Sequence, residues 1–285
     1  MNWQKVPLEP GLTLVSTPIG AARDITLRAL DVLASADVLV AEDTRRLRKL
    51  LELHGIPLEG RPVIAYHEHS GPGARSALID RIKAGRSVAY ATDAGTPLVA
   101  DPGFQLVRAA LEAGLAVHAA PGPSAPVVAL TLSGLGSDRF LFAGFLPAAK
   151  AARRTALAEL AGVPATLVLF ESPKRVRECL DDLCDILGEE REAAICRELT
   201  KKFEEVRRGT LGQLREGLKE IRGEVVLVID RARGDQGAES LEDDLRRALR
   251  TMRVKDAAAA VAGAHGRSAR DVYQLALRLK DGGDG

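Results

Sequence analysis

Two rhythms of hydrophobic and polar positions alternate along this chain. Short β-branched and leucine-rich runs at 12–16 (LTLVS), 37–41 (DVLVA), 62–66 (PVIAY) and 87–91 (SVAYA) read as strands. Between them, stretches with a helical apolar period at 25–35, 45–54 and 74–84 read as amphipathic helices. Alternation at this spacing predicts βαβ units and a largely parallel sheet, because a parallel pair needs a crossover long enough to hold a helix.

The rhythm resumes after residue 136, with strands near 139–144, 165–170, 192–197, 203–208 and 224–229. Helices are expected at 151–161, 173–187 and 210–221. Ser172-Pro173 reads as an N-cap followed by Pro at the first helical position, and Thr210 as the cap of the next helix. The charged run 203–208 suits an edge strand, so some antiparallel pairing is expected in this half. The polar, Gly-containing stretch 231–240 (RARGDQGAES) reads as a linker. Beyond it, helices at 241–251, 255–264 and 269–280, the last capped by Ser268, suggest a small helix-turn-helix-like bundle. The expected organisation is an α/β lobe at 1–121, a second at 122–235, and a linker with a small helical domain at 236–285.

Four loops sit where a strand ends and a helix begins, the edge at which open α/β sheets bind ligands. They are Ser16–Gly20, Ala41–Arg46, Thr92–Gly103 and Pro121–Pro126. The first is neither G-x-G-x-x-G nor a Walker loop, so a dinucleotide fingerprint is absent. The second holds two carboxylates and two guanidiniums, which either begin a solvated helix capped by Asp43 or Thr44, or orient a polar substrate. The third is long for its position and stiffened by Pro and Gly, the mark of a functional loop. In the fourth, Ser124 would cap a helix whose first amides can hold an anion.

Composition narrows the chemistry. The chain has 285 residues and a net charge of +1, so no global basic field announces a nucleic-acid partner and any such affinity must be local. Three cysteines, Cys179, Cys184 and Cys196, form no Cys-x-x-Cys pair, which argues against structural zinc and a disulfide framework and for free thiols in a reducing cytoplasm. His67 and His69 flank Glu68, yet no further ligand lies near, and no metal is expected. Neither a leader nor a membrane span is expected, since no long uncharged apolar run occurs.

In order, TPIG (17–20), RDITLRA (23–29), AEDTR (41–45), TDAGTPLVADPG (92–103) and PGPSA (121–125) resemble the tetrapyrrole-methylase superfamily of S-adenosylmethionine enzymes. GFLP (144–147), FESPKR (170–175), RELTKKFEE (197–205) and GEVVLVI (223–229) extend the resemblance over essentially the whole chain. Thr92-Asp93-Ala94 stands where the tetrapyrrole enzymes carry Gly-Asp-Pro, and the first loop is poorer in Gly. Both departures favour the branch that acts on ribosomal RNA. The resemblance implies two α/β lobes with the cofactor cleft between them, a small C-terminal helical domain and a homodimer. It also implies transfer of a methyl group to the 2′-oxygen of a cytidine in the decoding region of 16S rRNA, within the 30S subunit.

Carried over by motif, the resemblance implies S-adenosylmethionine contacts from Pro18, Ile19, Ala91, Thr92, Asp93, Thr96, Ser124, Ala125, Glu171 and Leu199. Candidate catalytic groups are Lys201, Glu171 and Asp43. Lys201 is either a cleft lysine that loses its proton near neutrality or a solvated, phosphate-binding cation, and Glu171 is either a base or a cofactor contact. Arg45, Arg46, Arg175, Lys201 and Arg250 are candidate RNA contacts, drawn from basic runs at 45–49, 174–177 and 246–255. Two alternatives stay open: a small-molecule acceptor on the same fold, and a ribosome-binding module without turnover.

Overall fold

The computed structural model describes residues 2–232 and 238–281, so residues 233–237 of the expected linker lie outside the described residues. The chain forms two compact units, residues 1–161 with 165–231, and residues 162–164 with 232–285.

In the first unit, β1 (Gly11–Val15), β2 (Val38–Ala41), β3 (Val63–Ala65), β4 (Ser87–Ala91) and β5 (Val117–Ala120) make a parallel sheet in the order β3-β2-β4-β1-β5. Period-two alternation loads both faces. Leu39, Ala41, Ala89 and Ala91 point to α1 (Leu27–Ser35) and α2 (Thr44–Leu53). Val38, Val40, Val88 and Tyr90 point to α3 (Pro72–Lys83) and α4 (Phe104–Glu112). β5 and α4 lie where the hydrophobic rhythm marked no element. Strand β5 (VHAA) is a half-exposed edge with one β-branched residue, and α4 begins directly after the Pro/Gly-rich loop, which masks its start.

The second sheet of this unit contains β6 (Phe140–Phe145), β7 (Thr166–Glu171), β8 (Glu192–Arg197), β9 (Glu205–Thr210) and β10 (Val225–Ile229), ordered β6-β7-β10-β8-β9. Only β6·β7 is parallel, so the expected antiparallel pairing is present and the charged strand β9 is an edge. Helix α5 (Ala125–Ser133) packs on one face of this sheet through Ala129 and Leu130 against Val168, Ala194, Cys196, Val226 and Val228. α7 (Val176–Leu187) packs against α6 (Lys150–Leu160) and α8 (Leu211–Glu216). Thr210 closes a full capping box with Gln213, as its sequence context suggests, but Gly217 ends α8 well before residue 221. Helix α7 starts later than expected: Ser172–Arg175 form a turn, and Arg175 rather than Ser172 is the N-cap.

One charge is fully enclosed between α6 and α7. The Arg153 side chain is 1% exposed, and its Nε donates to Asp182 Oδ2 at 2.7 Å, also 1% exposed. Arg154 adds a second contact to Asp182 at 2.9 Å.

In the second unit, α9 (Ala238–Leu249), α10 (Val254–His265) and α11 (Ala269–Asp281) bury Leu245, Ala258, Val261, Val272 and Ala276 together. Arg246 and Arg247 pair with acids one turn earlier in α9, whereas Arg250, Arg253 and Lys255 are exposed and make no ion pair among the described residues.

Asp182→Ala would strand the Arg153 guanidinium without its buried partner, and such losses cost about 3–5 kcal/mol. Urea denaturation of that variant should show a loss of this size, while a paired Arg153→Met, Asp182→Leu replacement should lose much less.

Candidate active site

The strand-end loops of the two sheets meet. The Thr17 and Gly95 backbones exchange hydrogen bonds of 2.9 and 3.0 Å, joining the first and third loops, and Thr96 Oγ1 donates to the Pro123 carbonyl at 2.9 Å, joining the third to the fourth. Ile19 sits in the core of the second sheet beside Leu199. A Cβ on Gly20 would lie 2.5 Å from Thr200 Oγ1 and 2.8 Å from the Leu199 carbonyl, so only glycine lets these segments approach this closely.

Between the sheets lies a cavity of about 380 Å³, within the range of small-molecule sites. Ile19, Thr96, Ser124–Pro126, Phe145, Phe170–Pro173 and Gly223–Val226 line it, and Asp101 and Ala100 stand at one side. Its surface is mainly apolar, and Phe145 and Phe170 meet edge to face with centroids 5.4 Å apart. Glu171 is the buried charge in this wall. Its Oε1 accepts from the Ser172 amide at 2.6 Å and Arg175 Nε at 2.8 Å. Its Oε2 is buried and makes no hydrogen bond among the described residues. The Cys179 thiol lies near this carboxylate and is pushed up to about 12, first by burial and then by that negative charge.

A second, polar cavity of about 500 Å³ shares Ala100 and Asp101 with the first. Glu42, Tyr66, His67, Glu68, Arg75, Phe104 and Gln105 surround it. The dividing segment is held in an uncommon shape: Leu98 and Ala100 are left-handed at φ 70° and 58°. Gly103 at φ 119° leaves room for the Tyr90 ring, whose hydroxyl donates to the Pro102 carbonyl at 3.0 Å. Asp101 Oδ2 accepts from Thr92 Oγ1 at 2.5 Å. Burial and the nearby Asp93 raise the Asp101 pKa above its ordinary value, and burial with Asp93 and Asp101 does the same for Glu42.

Five of the expected cofactor residues, Ile19, Thr96, Ser124, Ala125 and Glu171, line the apolar cavity. Pro18, Thr92 and Asp93 line a separate cavity with Arg46 instead. Ala91 is fully buried in the first core and Leu199 is 6% exposed in the second, so both support loops rather than face open space.

Three catalytic expectations meet the geometry differently. Asp43 is a helix cap: its carboxylate accepts from the Arg45 amide at 2.8 Å and the Arg45 guanidinium at 2.9 Å, bonds that hold its pKa down at about 2. Its carboxylate is thus occupied in capping α2 and pairing with Arg45. Lys201 Nζ is clamped between Glu198 at 3.0 Å and Glu224 at 2.8 Å. Burial lowers its pKa, but the two carboxylates outweigh burial and the net shift is upward. The two carboxylates favour the protonated form, which suits the cationic, phosphate-binding alternative for Lys201. Glu171 is engaged by Arg175 through one oxygen and faces the apolar cavity.

Arg45 is exposed and tied to Asp43, and Arg46 reaches Asp93 at 3.5 Å. The sequence reading did not single out Asp101, and it took Glu42 only as one of two carboxylates in the second loop. Burial, not identity, sets these two acids apart.

Loops at the strand ends of two α/β sheets, enclosing an apolar cavity beside a polar one, are the setting in which α/β enzymes bind their ligands. The chain belongs to the family described as Tetrapyrrole (Corrin/Porphyrin) Methylases, which matches residues 11–215, and the family described as RsmI C-terminal HTH domain matches residues 235–280. It is 48% identical over 280 residues to the Ribosomal RNA small subunit methyltransferase I of Mesorhizobium japonicum, covering 96% of this chain and 94% of that one. It is 42% identical to the protein of the same name from Vibrio cholerae, covering 94% of each. In fold it is similar to diphthine synthase (TM-score 0.59, 18% identity, 77% of this chain and 89% of that one). The uroporphyrin-III C-methyl transferase from Thermus thermophilus complexed with S-adenyl homocysteine is a second match (TM-score 0.55, 22% identity, 78% and 98%).

Gly20→Ala should force Thr200 and Lys201 away from the first loop. Overpacking of this kind costs about 1–3 kcal/mol, and a thermal melt should record a fall of several degrees in Tm.

Proposed function

We propose that this protein transfers the methyl group of S-adenosylmethionine to small-subunit ribosomal RNA. The observation that carries the reading is the pair of cavities meeting at Asp101, one apolar and one polar, in a chain whose relatives are named as methyltransferases of that RNA.

The apolar cavity suits the donor. Ile19, Ala125, Phe145 and Phe170 offer surface to the adenosine, and the start of α5 offers free amides to a carboxylate. When bound, S-adenosylmethionine supplies an electrophilic methyl whose sulfonium charge disappears on transfer. The polar cavity suits the acceptor nucleotide: exposed Phe104 offers a stacking face, and Arg75, Gln105 and His67 offer donors to a base or phosphate.

Asp101 lies where the two meet. Thr92 orients one carboxylate oxygen, and the raised pKa makes this a better proton acceptor than an ordinary solvated aspartate. In the finer reading the acceptor is the 2′-oxygen of a cytidine in the decoding region of 16S rRNA. A hydroxyl there is a weak nucleophile, so a positioned acceptor and alignment share the work; alignment alone can supply about 7–11 kcal/mol. The 30S subunit is the assembled substrate, the enzyme acts in the cytoplasm, and it works as a homodimer. Lobes 1–121 and 122–235 form the catalytic part, while Arg250, Arg253 and Lys255 in 236–285 add a basic surface for RNA.

Incubation with labelled S-adenosylmethionine should place label on the 2′-oxygen of one 16S cytidine in 30S subunits lacking that methyl group. Label on a porphyrinogen and none on ribosomal particles would sink the reading. Asp101→Asn should cut kcat by about 10²–10⁴. The parent's rate should fall as pH drops through a value above 3.8, and the variant should lack that limb. The raised pKa means that ionised Asp101 subtracts stability, a cost present above its folded pKa and relieved below it. The variant should therefore melt no lower than the parent at neutral pH.

A further inference from the structure

Beside the donor cavity runs a groove of about 490 Å³, between the start of α7 and the segment leading into β10. It shares Pro173 and Gly223 with the donor cavity, so the two adjoin. Its walls carry four cations, Lys174, Arg177, Lys219 and Arg222, against one carboxylate, Glu220. All five are exposed, and among the described residues Glu220 pairs only with Arg222, at 2.9 Å. Lys174 and Lys219 make no ion pair among the described residues.

The shape of the groove is fixed. Arg177 donates to the Leu218 carbonyl at 2.5 Å, joining the two walls. Gly223, at φ 88°, lies so close to the Glu198 carboxylate that a Cβ there would overlap it, and Glu198 also accepts from the Glu224 amide at 2.9 Å. These bonds hold the cations over the groove, although the chain as a whole carries a net charge of only +1.

The other basic run of this unit is largely neutralised: Arg45 by Asp43, Arg46 by Asp93 and Lys49 by Glu52. On the acceptor side, Arg75 lines the polar cavity together with Glu42, Glu68 and Asp101, whose negative charge offsets it. The groove on the α7 side adds further unpaired positive charge for a polyanion whose reacting nucleotide sits at Asp101.

We infer that this groove binds the phosphodiester backbone of the acceptor RNA next to the methylated nucleotide. The inference rests on the ribosomal-RNA reading above and assigns it a path across the surface. Phosphates in the groove displace condensed counterions, so affinity depends on salt in proportion to the number of cations engaged.

The test uses the full-length protein, 30S subunits and a single-stranded 16S fragment containing the acceptor nucleotide. Arg177 is left in place because it holds the walls together. Lys174→Ala, Lys219→Ala and Arg222→Ala combined should weaken fragment binding by about tenfold or more near 0.1 M salt. The same variant should lower the slope of log K against log salt by about 2, at about 0.7 per charge lost. Glu220→Gln should shift affinity the other way, tightening it several-fold. The KM for 30S subunits should rise in the triple variant, while calorimetry should find its S-adenosylmethionine affinity equal to the parent's. Unchanged RNA affinity and slope in the triple variant, with the parent still methylating 30S subunits, would overturn the groove alone and leave it to an acidic protein partner. A parent that labels no RNA would overturn the ribosomal-RNA reading itself.

Discussion

The close approach of the Ser16–Gly20 loop to the Glu198–Lys201 segment is the contact on which the rest of the catalytic unit depends. Ile19 reaches out of the first sheet into the core of the second, and the Ala21 amide donates to Thr200 Oγ1 at 3.1 Å. The receiving segment is bent to match, with Glu198 at φ 48° and Thr200 at φ 62°. Such shapes cost about 1–3 kcal/mol each and persist only where surroundings over-determine them. Here Lys201, Glu224 and Glu204 supply that restraint by binding Glu198 and the Thr200 amide. Two sheets that share no strand pairing are thereby held at one separation, and the cavity between them follows from it.

That arrangement also sorts the electrostatics. The third loop stands as a partition, apolar surface on one side and Glu42, His67 and Arg75 on the other, with Asp101 at the boundary. Water is least welcome on the apolar side, where the Glu171 Oε2 atom is sealed without a partner. Acidic groups gather on the first sheet's loops, while uncompensated cations lie beyond the second sheet's strand ends. A donor that loses positive charge and an acceptor attached to a polyanion suit such a division.

Much of this was legible in the residues. Alternating runs announced the strands, Thr210 announced its cap, and the motifs in their order announced which loops line the site. Less legible were groups whose role depends on neighbours distant in the chain. Asp43 and Asp93 carry the same carboxylate, yet one caps α2 while the other receives the Asp43 amide at 3.0 Å and Arg46. For Lys201 the residues left a neutral amine and a cation both open, and Glu224, twenty-three positions along, adds a carboxylate that favours the cation. Strand β5 went unmarked because an edge strand exposed on one side needs little of the pattern that marks a buried one.

By itself the sequence determined the two sheets, the helical tail and the identity of the loops that line the site, because periodicity and turn chemistry are local properties of neighbouring residues. Tertiary structure alone decided which carboxylates are desolvated, which cations remain uncompensated and where the two cavities touch. Those properties arise from distances between groups far apart in sequence, and both Coulomb energy and desolvation depend on distance and burial rather than on order along the chain.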